Sequence, residues 1–325
     1  MEKIKFLTMA ALATAFFASC SNEDGLPQSN YPADNVVRIT TSVDGMNTRA
    51  SYGSSTAKLS SFGFCINNAG SDKYTYDNIK VTQENGKWNP ATQMLWQNST
   101  TAVDILAYAP YQANGNVKIF GKSDYAFSVK ADQSNAEDYS SDLIVYKQTG
   151  FTPGSELNTS KAVEVSFTHL LSQLNLTIEL RDQFNQDEKK PVTEATVTDV
   201  KVNGTIISSK VDFSASPISV QVDDTQEATA IIPETTEFKA AGKTTDHAAF
   251  NYSAIVIPQT VTAGNFSISF KVDGTDYIWT STSDVNFVSG NKHQLSLLVG
   301  KDVVQVKGIT ATPWGKENIT QGETD

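Results

Sequence analysis

The sequence is poor in the residues that ordinarily carry chemistry: 325 residues hold three histidines, two cysteines and four methionines. His169, His247 and His293 stand far apart, and none has a neighbour at the short spacing of a zinc site. A Gly-rich phosphate loop, a nucleophile elbow and a Cys-x-x-Cys pair are all missing, which removes the usual signatures of phosphoryl transfer, serine hydrolysis and thiol redox chemistry. No cofactor or metal is expected, and the chain does not read as an enzyme. Positive charge is also scarce, with 25 Lys and Arg against 36 Asp and Glu and a net charge of −11. Such a balance repels phosphate backbones, so nucleic acid is not an expected partner. No apolar run reaches the roughly 18 residues of a membrane-spanning helix.

What is present begins at the N-terminus. Lys3 and Lys5 precede an apolar stretch from Phe6 to Phe17, which is too short to cross a hydrocarbon core of ~30 Å and reads as a signal peptide over residues 1–19. It runs through Phe17, Ala18 and Ser19 into Cys20, a pattern that resembles a bacterial lipoprotein processing site. Cys20 is then the first mature residue and the site of lipidation, because its thiol can carry a thioether-linked lipid. Several acyl chains at ~0.8 kcal/mol per buried methylene hold such a protein firmly to an outer membrane. Ser21-Asn22-Glu23-Asp24 resembles a surface-export signal, and the polar residues 20–35 read as a flexible tether. Removal of residues 1–19 leaves 306 residues with a net charge of −12. With Cys20 acylated, Cys65 has no disulfide partner, and its apolar setting from Phe62 to Ile66 points to a buried, inert thiol.

Period-two alternation recurs along the rest of the chain. Leu174, Leu176, Ile178 and Leu180 share one strand face, and so do Phe266, Ile268, Phe270 and Val272. Asp273-Gly274 then supplies the positive φ angles of a tight hairpin, and Asn85-Gly86 and Asn203-Gly204 read as further turns. Tyr125–Val129 and Ile218–Val222 add strands, while Ser134–Tyr139 reads as a short turn. The fold class expected is all-β, with two antiparallel β-sandwich domains in tandem. A polar stretch from Thr149 to Lys161 separates them, which gives an N-terminal domain over 36–160 and a C-terminal domain over 161–325.

Other candidates carry less. Asp223-Asp224 and the pair Asp273 and Asp276 lack the oxygen-ligand loop of a calcium site. Trp88, Trp96, Trp279 and Trp314 offer indole faces to a sugar, but two or more lie in strand-like runs where core packing is the simpler role.

Four passages stand out in order: Gly45–Ala50, the pair Asp104–Tyr111 and Asp142–Tyr146, the run Val165–Leu174, and the end from Phe287 to His293 followed by Ile309–Trp314. Together they resemble the fimbrillin superfamily of surface proteins from anaerobic gut and oral bacteria. The resemblance implies two transthyretin-like sandwiches and a lipoprotein precursor cut by a trypsin-like protease after a basic residue, here Arg49, so that the chain restarts at Ala50. The segment ahead of that cut, residues 36–49, alternates Val37, Ile39, Thr41 and Val43 on one face, so it reads as a removable first strand. Its loss would uncover an apolar groove that another chain's extended segment can fill. In the family that donor is a C-terminal segment; the candidate here lies in Val303–Ile309, with Val304, Val306 and Ile309 as its apolar residues. The partners implied are other fimbrial subunits, with a host or bacterial surface ligand beyond them. The alternative reading is a glycan-binding outer-membrane lipoprotein of a polysaccharide-uptake system, and a secreted hydrolase is a third.

Overall fold

The computed structural model describes residues 30–43, 58–113, 118–184, 191–241 and 247–314. Within them lie twenty β-strands and one short α-helix, Pro153–Glu156. The first sheet has seven strands, in the order β1 (Ile39–Val43), β8 (Val163–His169), β7 (Ile144–Phe151), β5 (Val103–Ala109), β2 (Ser61–Asn67), β3 (Tyr76–Glu84) and β4 (Lys87–Pro90). β2 and β5 are buried almost throughout, because both of their faces are covered, and so they read in sequence as apolar runs rather than alternations. Phe62, Phe64, Ile66, Ile105 and Ala107 turn to one core, where Val163, Val165 and Phe167 of β8 meet them. Cys65, Leu106 and Tyr108 turn the opposite way into a second core.

This sheet curls around its own core until its two edges approach. Val37 N–H donates to Met94 O at 3.0 Å and Trp96 N–H donates to Asn35 O at 2.8 Å, just beyond β4, and Val36 bridges Leu95. The result is a rolled sheet whose seam is closed by β1 and the residues that lead into it.

Five strands form the next sheet, in the order β13 (Glu234–Lys239), β14 (Ala248–Val256), β9 (Ser172–Leu180), β19 (Asn291–Gly300) and β20 (Val303–Pro313). Two three-stranded sheets follow: β10 (Val197–Asn203), β16 (Ser267–Val272), β17 (Thr275–Thr280), and β12 (Ser219–Val222), β11 (Ser208–Asp212), β6 (Tyr125–Ser128). β15 (Gln259–Val261) pairs with β18 (Val285–Phe287). Leu174, Leu176, Ile178 and Leu180 are buried as their period requires, and they share the second core with Phe266, Ile268, Phe270 and Val272. The chain is all-β. Most pairings are antiparallel, but β1 with β8 and β19 with β9 are parallel.

Hydrogen bonding does not follow the expected division at residue 160. β8 lies after that point in the chain yet pairs with β1 and β7 in the first sheet, and β6 lies before it yet pairs with β11. Polar composition marks where the chain is exposed, whereas strand partnership is decided by which apolar faces meet. The tether expected over residues 20–35 is likewise held down from Asn30 onward, where Asn30 Nδ2 donates to Leu157 O at 2.9 Å and Pro32 is buried.

Two of the three expected turns are hairpins. Asp273 and Gly274 have φ of 51° and 82°, Asn85 and Gly86 have 51° and 73°, and each pair joins adjacent antiparallel strands. Asn203-Gly204 is not a hairpin, because β10 pairs with β16 and the chain then leaves for another sheet. Gly204 serves close approach instead: at its φ of 91° a Cβ would stand 2.0 Å from Asn265 O.

Candidate functional site

The expected removable strand is the edge strand that closes the seam. β1 runs parallel to β8 with Ile39 beside Val163, Thr41 beside Val165 and Val43 beside Phe167. Val37, Ile39 and Val43 are 2%, 6% and 5% exposed, so three of the four expected anchors reach the core; Thr41 is half-buried on the same face. Val163 N–H donates to Arg38 O at 2.8 Å. Thr40 Oγ1 donates to Val163 O at 3.3 Å and accepts from Asn158 Nδ2 at 3.0 Å, and the Ser42 and Ser166 hydroxyls meet at 3.0 Å. Just upstream, Asp34 receives Arg38 through both guanidinium nitrogens at 3.0 and 2.6 Å, which holds its carboxyl low, at about 2. Three buried aliphatic anchors at ~1.5–3 kcal/mol each are enough to keep a short edge strand seated. Cys20, Arg49 and Ala50 lie outside the described residues.

The candidate donor occupies another edge. β20 pairs antiparallel with β19, and Val304, Val306 and Ile309 stand opposite Val299, Leu297 and Leu295. The sequence alternation breaks after Val306, but a bulge opposite Ser296 and Leu297 absorbs Lys307, so Ile309 rejoins the face of Val306. Lys307 itself reaches Glu179 at 2.9 Å. Val306 and Ile309 are 46% and 41% exposed although they lie on the inward face of the sheet, and Val304 alone of the three packs against the core.

A third place draws the family-like passages together. Asp142, just before β7, is wholly buried, and its Oδ1 lies 2.9 Å from Nδ1 of His169 at the end of β8. The imidazole stacks on Trp314 at 3.9 Å and 7° between planes, and Lys292 Nζ lies 5.7 Å from the centre of the same indole. Burial pushes the Lys292 ammonium below its ordinary pKa. The Trp314 backbone N–H donates to Gly290 O at 2.7 Å, the Gly290 backbone N–H donates to Leu171 O at 2.9 Å, and Ser289 Oγ donates to Leu170 O at 2.6 Å. Passages separated by more than a hundred residues thus form one junction between the two largest sheets. His169 thus makes a structural hydrogen bond, and nothing in the sequence named Asp142 as its partner or Trp314 as the ring above.

The remaining candidates are structural. Trp96 stacks on Phe151 at 5.7 Å, Trp88 meets Phe62 edge-on at 4.9 Å, and Trp279 meets Phe266 edge-on at 6.2 Å. His293 Nε2 accepts from Val288 N–H at 3.1 Å, and His247 lies 3.3 Å from Asp182. Among the described residues no three His, Cys, Asp or Glu side chains converge as a metal site would require. Cys65 is fully buried and receives Asn78 N–H at 3.2 Å, and burial lifts its thiol pKa well above the usual value. A thiol reagent applied to the folded protein is therefore expected to leave Cys65 unmodified, and to label it fully in denaturant; rapid labelling without denaturant would contradict this packing.

The sequence profile described as fimbrillin-like matches residues 48–314. Among curated proteins none matches the sequence. Solved structures that share the fold include the following three. A candidate cell adhesion protein of Bacteroides uniformis is 20% identical with a TM-score of 0.57, covering 87% of this chain and 99% of its own. A second, from Bacteroides ovatus, is 12% identical with a TM-score of 0.60 over the same shares. A fimbrial protein of Bacteroides vulgatus is 16% identical with a TM-score of 0.53, covering 85% and 99%. With a profile that spans the strands from β2 to Trp314, the chain belongs to the fimbrillin-like family.

Proposed function

We propose that the chain is a structural and adhesive subunit of cell-surface fimbriae, exported as a lipoprotein on Cys20 and cut after Arg49. An extended strand of another subunit then takes the place of β1. The observation that carries this reading is the seam: one short edge strand, bonded along β8 and anchored by Val37, Ile39 and Val43, closes a rolled sheet. Removing it would leave Val163, Val165 and Phe167 beside a row of unpaired backbone groups, the state that accepts an added strand. Before the cut the lipid holds the subunit at the outer membrane surface; after it the subunit belongs to the fimbrium. The glycan-binding alternative asks for an open indole face, and the four tryptophans are engaged in the packing described above.

The experiment has two arms. Arg49→Ala is expected to leave the surface form lipidated and uncut, seen by intact mass, and to prevent its incorporation into fibres. Cut wild-type protein is expected to bind a labelled peptide of residues 36–43, followed by fluorescence anisotropy, whereas uncut protein is not. If the cut protein shows no affinity for that peptide, the seam is not an acceptor.

A further inference from the structure

The C-terminal strand poses a separate question, since a subunit inside a linear fibre must both accept a strand and give one. Resting on the reading above, we propose that the junction at His169 clamps Trp314 and makes β20 a resident strand. The chain then accepts a strand at the seam while β20 stays paired with β19 rather than passing to a neighbour.

A strand given away at its C-terminal side must peel from that side first, and Trp314 sits there, directly after β20. Its side chain is stacked at 3.9 Å on an imidazole that a buried carboxylate holds in place, the residue is 7% exposed, and its backbone N–H is bonded to Gly290 O. The middle of the strand is different: Val306 and Ile309 are both more than two-fifths exposed, so side-chain burial there does little to hold it. The other end is fixed by the two-residue turn to β19, whose Lys301 O accepts from Tyr277 Oη at 3.1 Å. At the end where peeling starts, the aromatic contact of Trp314 and its backbone bond are what resist it. The contrast with β1 supports the division of roles. β1 pairs with β8 over five residues, whereas β20 is registered with β19 over nearly its whole length.

Hydrogen exchange on the mature full-length chain, before and after tryptic cutting at Arg49, tests the proposal without a mutation. Protection of the β20 amides is expected to survive the cut. Trp314→Ala is expected to raise exchange in β20 by about a hundredfold or more while β9 and β14 remain protected. Cut Trp314→Ala protein is further expected to self-associate where cut wild type stays monomeric in sedimentation. Loss of β20 protection on cutting wild type would overturn the proposal. So would a disulfide between Val306→Cys in one cut copy and Val165→Cys in another with Trp314 intact, since β20 would then have entered a neighbour's seam. Should Trp314→Ala fail to fold, the wild-type exchange and the cross-link still decide. Failure of the acceptor reading shows up elsewhere, as absence of binding by the 36–43 peptide.

Discussion

Phe62→Ala is expected to lower the unfolding free energy by about 3–5 kcal/mol, measured by chemical denaturation. Phe62 is fully buried on β2 and meets three rings edge-on: Trp88 at 4.9 Å, Phe167 at 5.4 Å and Phe64 at 6.4 Å. Phe167 stands beside Val43 in register, so Phe62 supports the floor on which β1 rests. Truncation removes the transfer energy of a phenyl group and leaves a cavity among rigid aromatic neighbours that cannot collapse to fill it. Each lost ring pair adds about 0.5–1.5 kcal/mol beyond burial. The matching control is Ile278→Ala on β17, where the side chain is 63% exposed and the change should stay within about 0.5 kcal/mol. Equal effects at the two positions would contradict a rolled sheet with Phe62 inside it.

Asp142→Ala is expected to cost about 3 kcal/mol or more, because it leaves the fully buried Nδ1 of His169 without its carboxylate partner. The loss should exceed that of an exposed pair by a wide margin. Lys122→Ala, which removes the partner of the largely exposed Asp124, should cost no more than about 1 kcal/mol. The imidazole also supports the ring of Trp314, so near-ultraviolet circular dichroism should lose tryptophan signal in Asp142→Ala well below its own unfolding midpoint. An Asp142→Ala protein with wild-type stability and unchanged aromatic signal would mean that the junction is not held by this pair.

Much of the architecture was legible in residues. The alternations at Leu174–Leu180 and Phe266–Val272 are strands with those side chains buried, and Asp273-Gly274 and Asn85-Gly86 are hairpins, because facing and tight turning depend on neighbours one or two positions away. Val37, Ile39 and Val43 were legible as one buried face for the same reason. Their partner was not. Ser42 and Ser166 touch across 124 positions, and any strand with an apolar face would satisfy the same pattern. The bulge that returns Ile309 to the face of Val306 has no local signal either, since it arises from registry with β19.

By itself, then, the sequence determined the periods, the turns, the acidic surface and the list of side chains that must leave water, all of them consequences of short-range stereochemistry and hydration. Tertiary structure alone decided that β8 would cross the expected boundary, that β1 would close a rolled sheet in parallel, and that Asp142, His169 and Trp314 would meet. The physical reason is that alternation says which side of a strand is buried but not against what. That choice is made only when all the apolar faces compete at once for the same two cores.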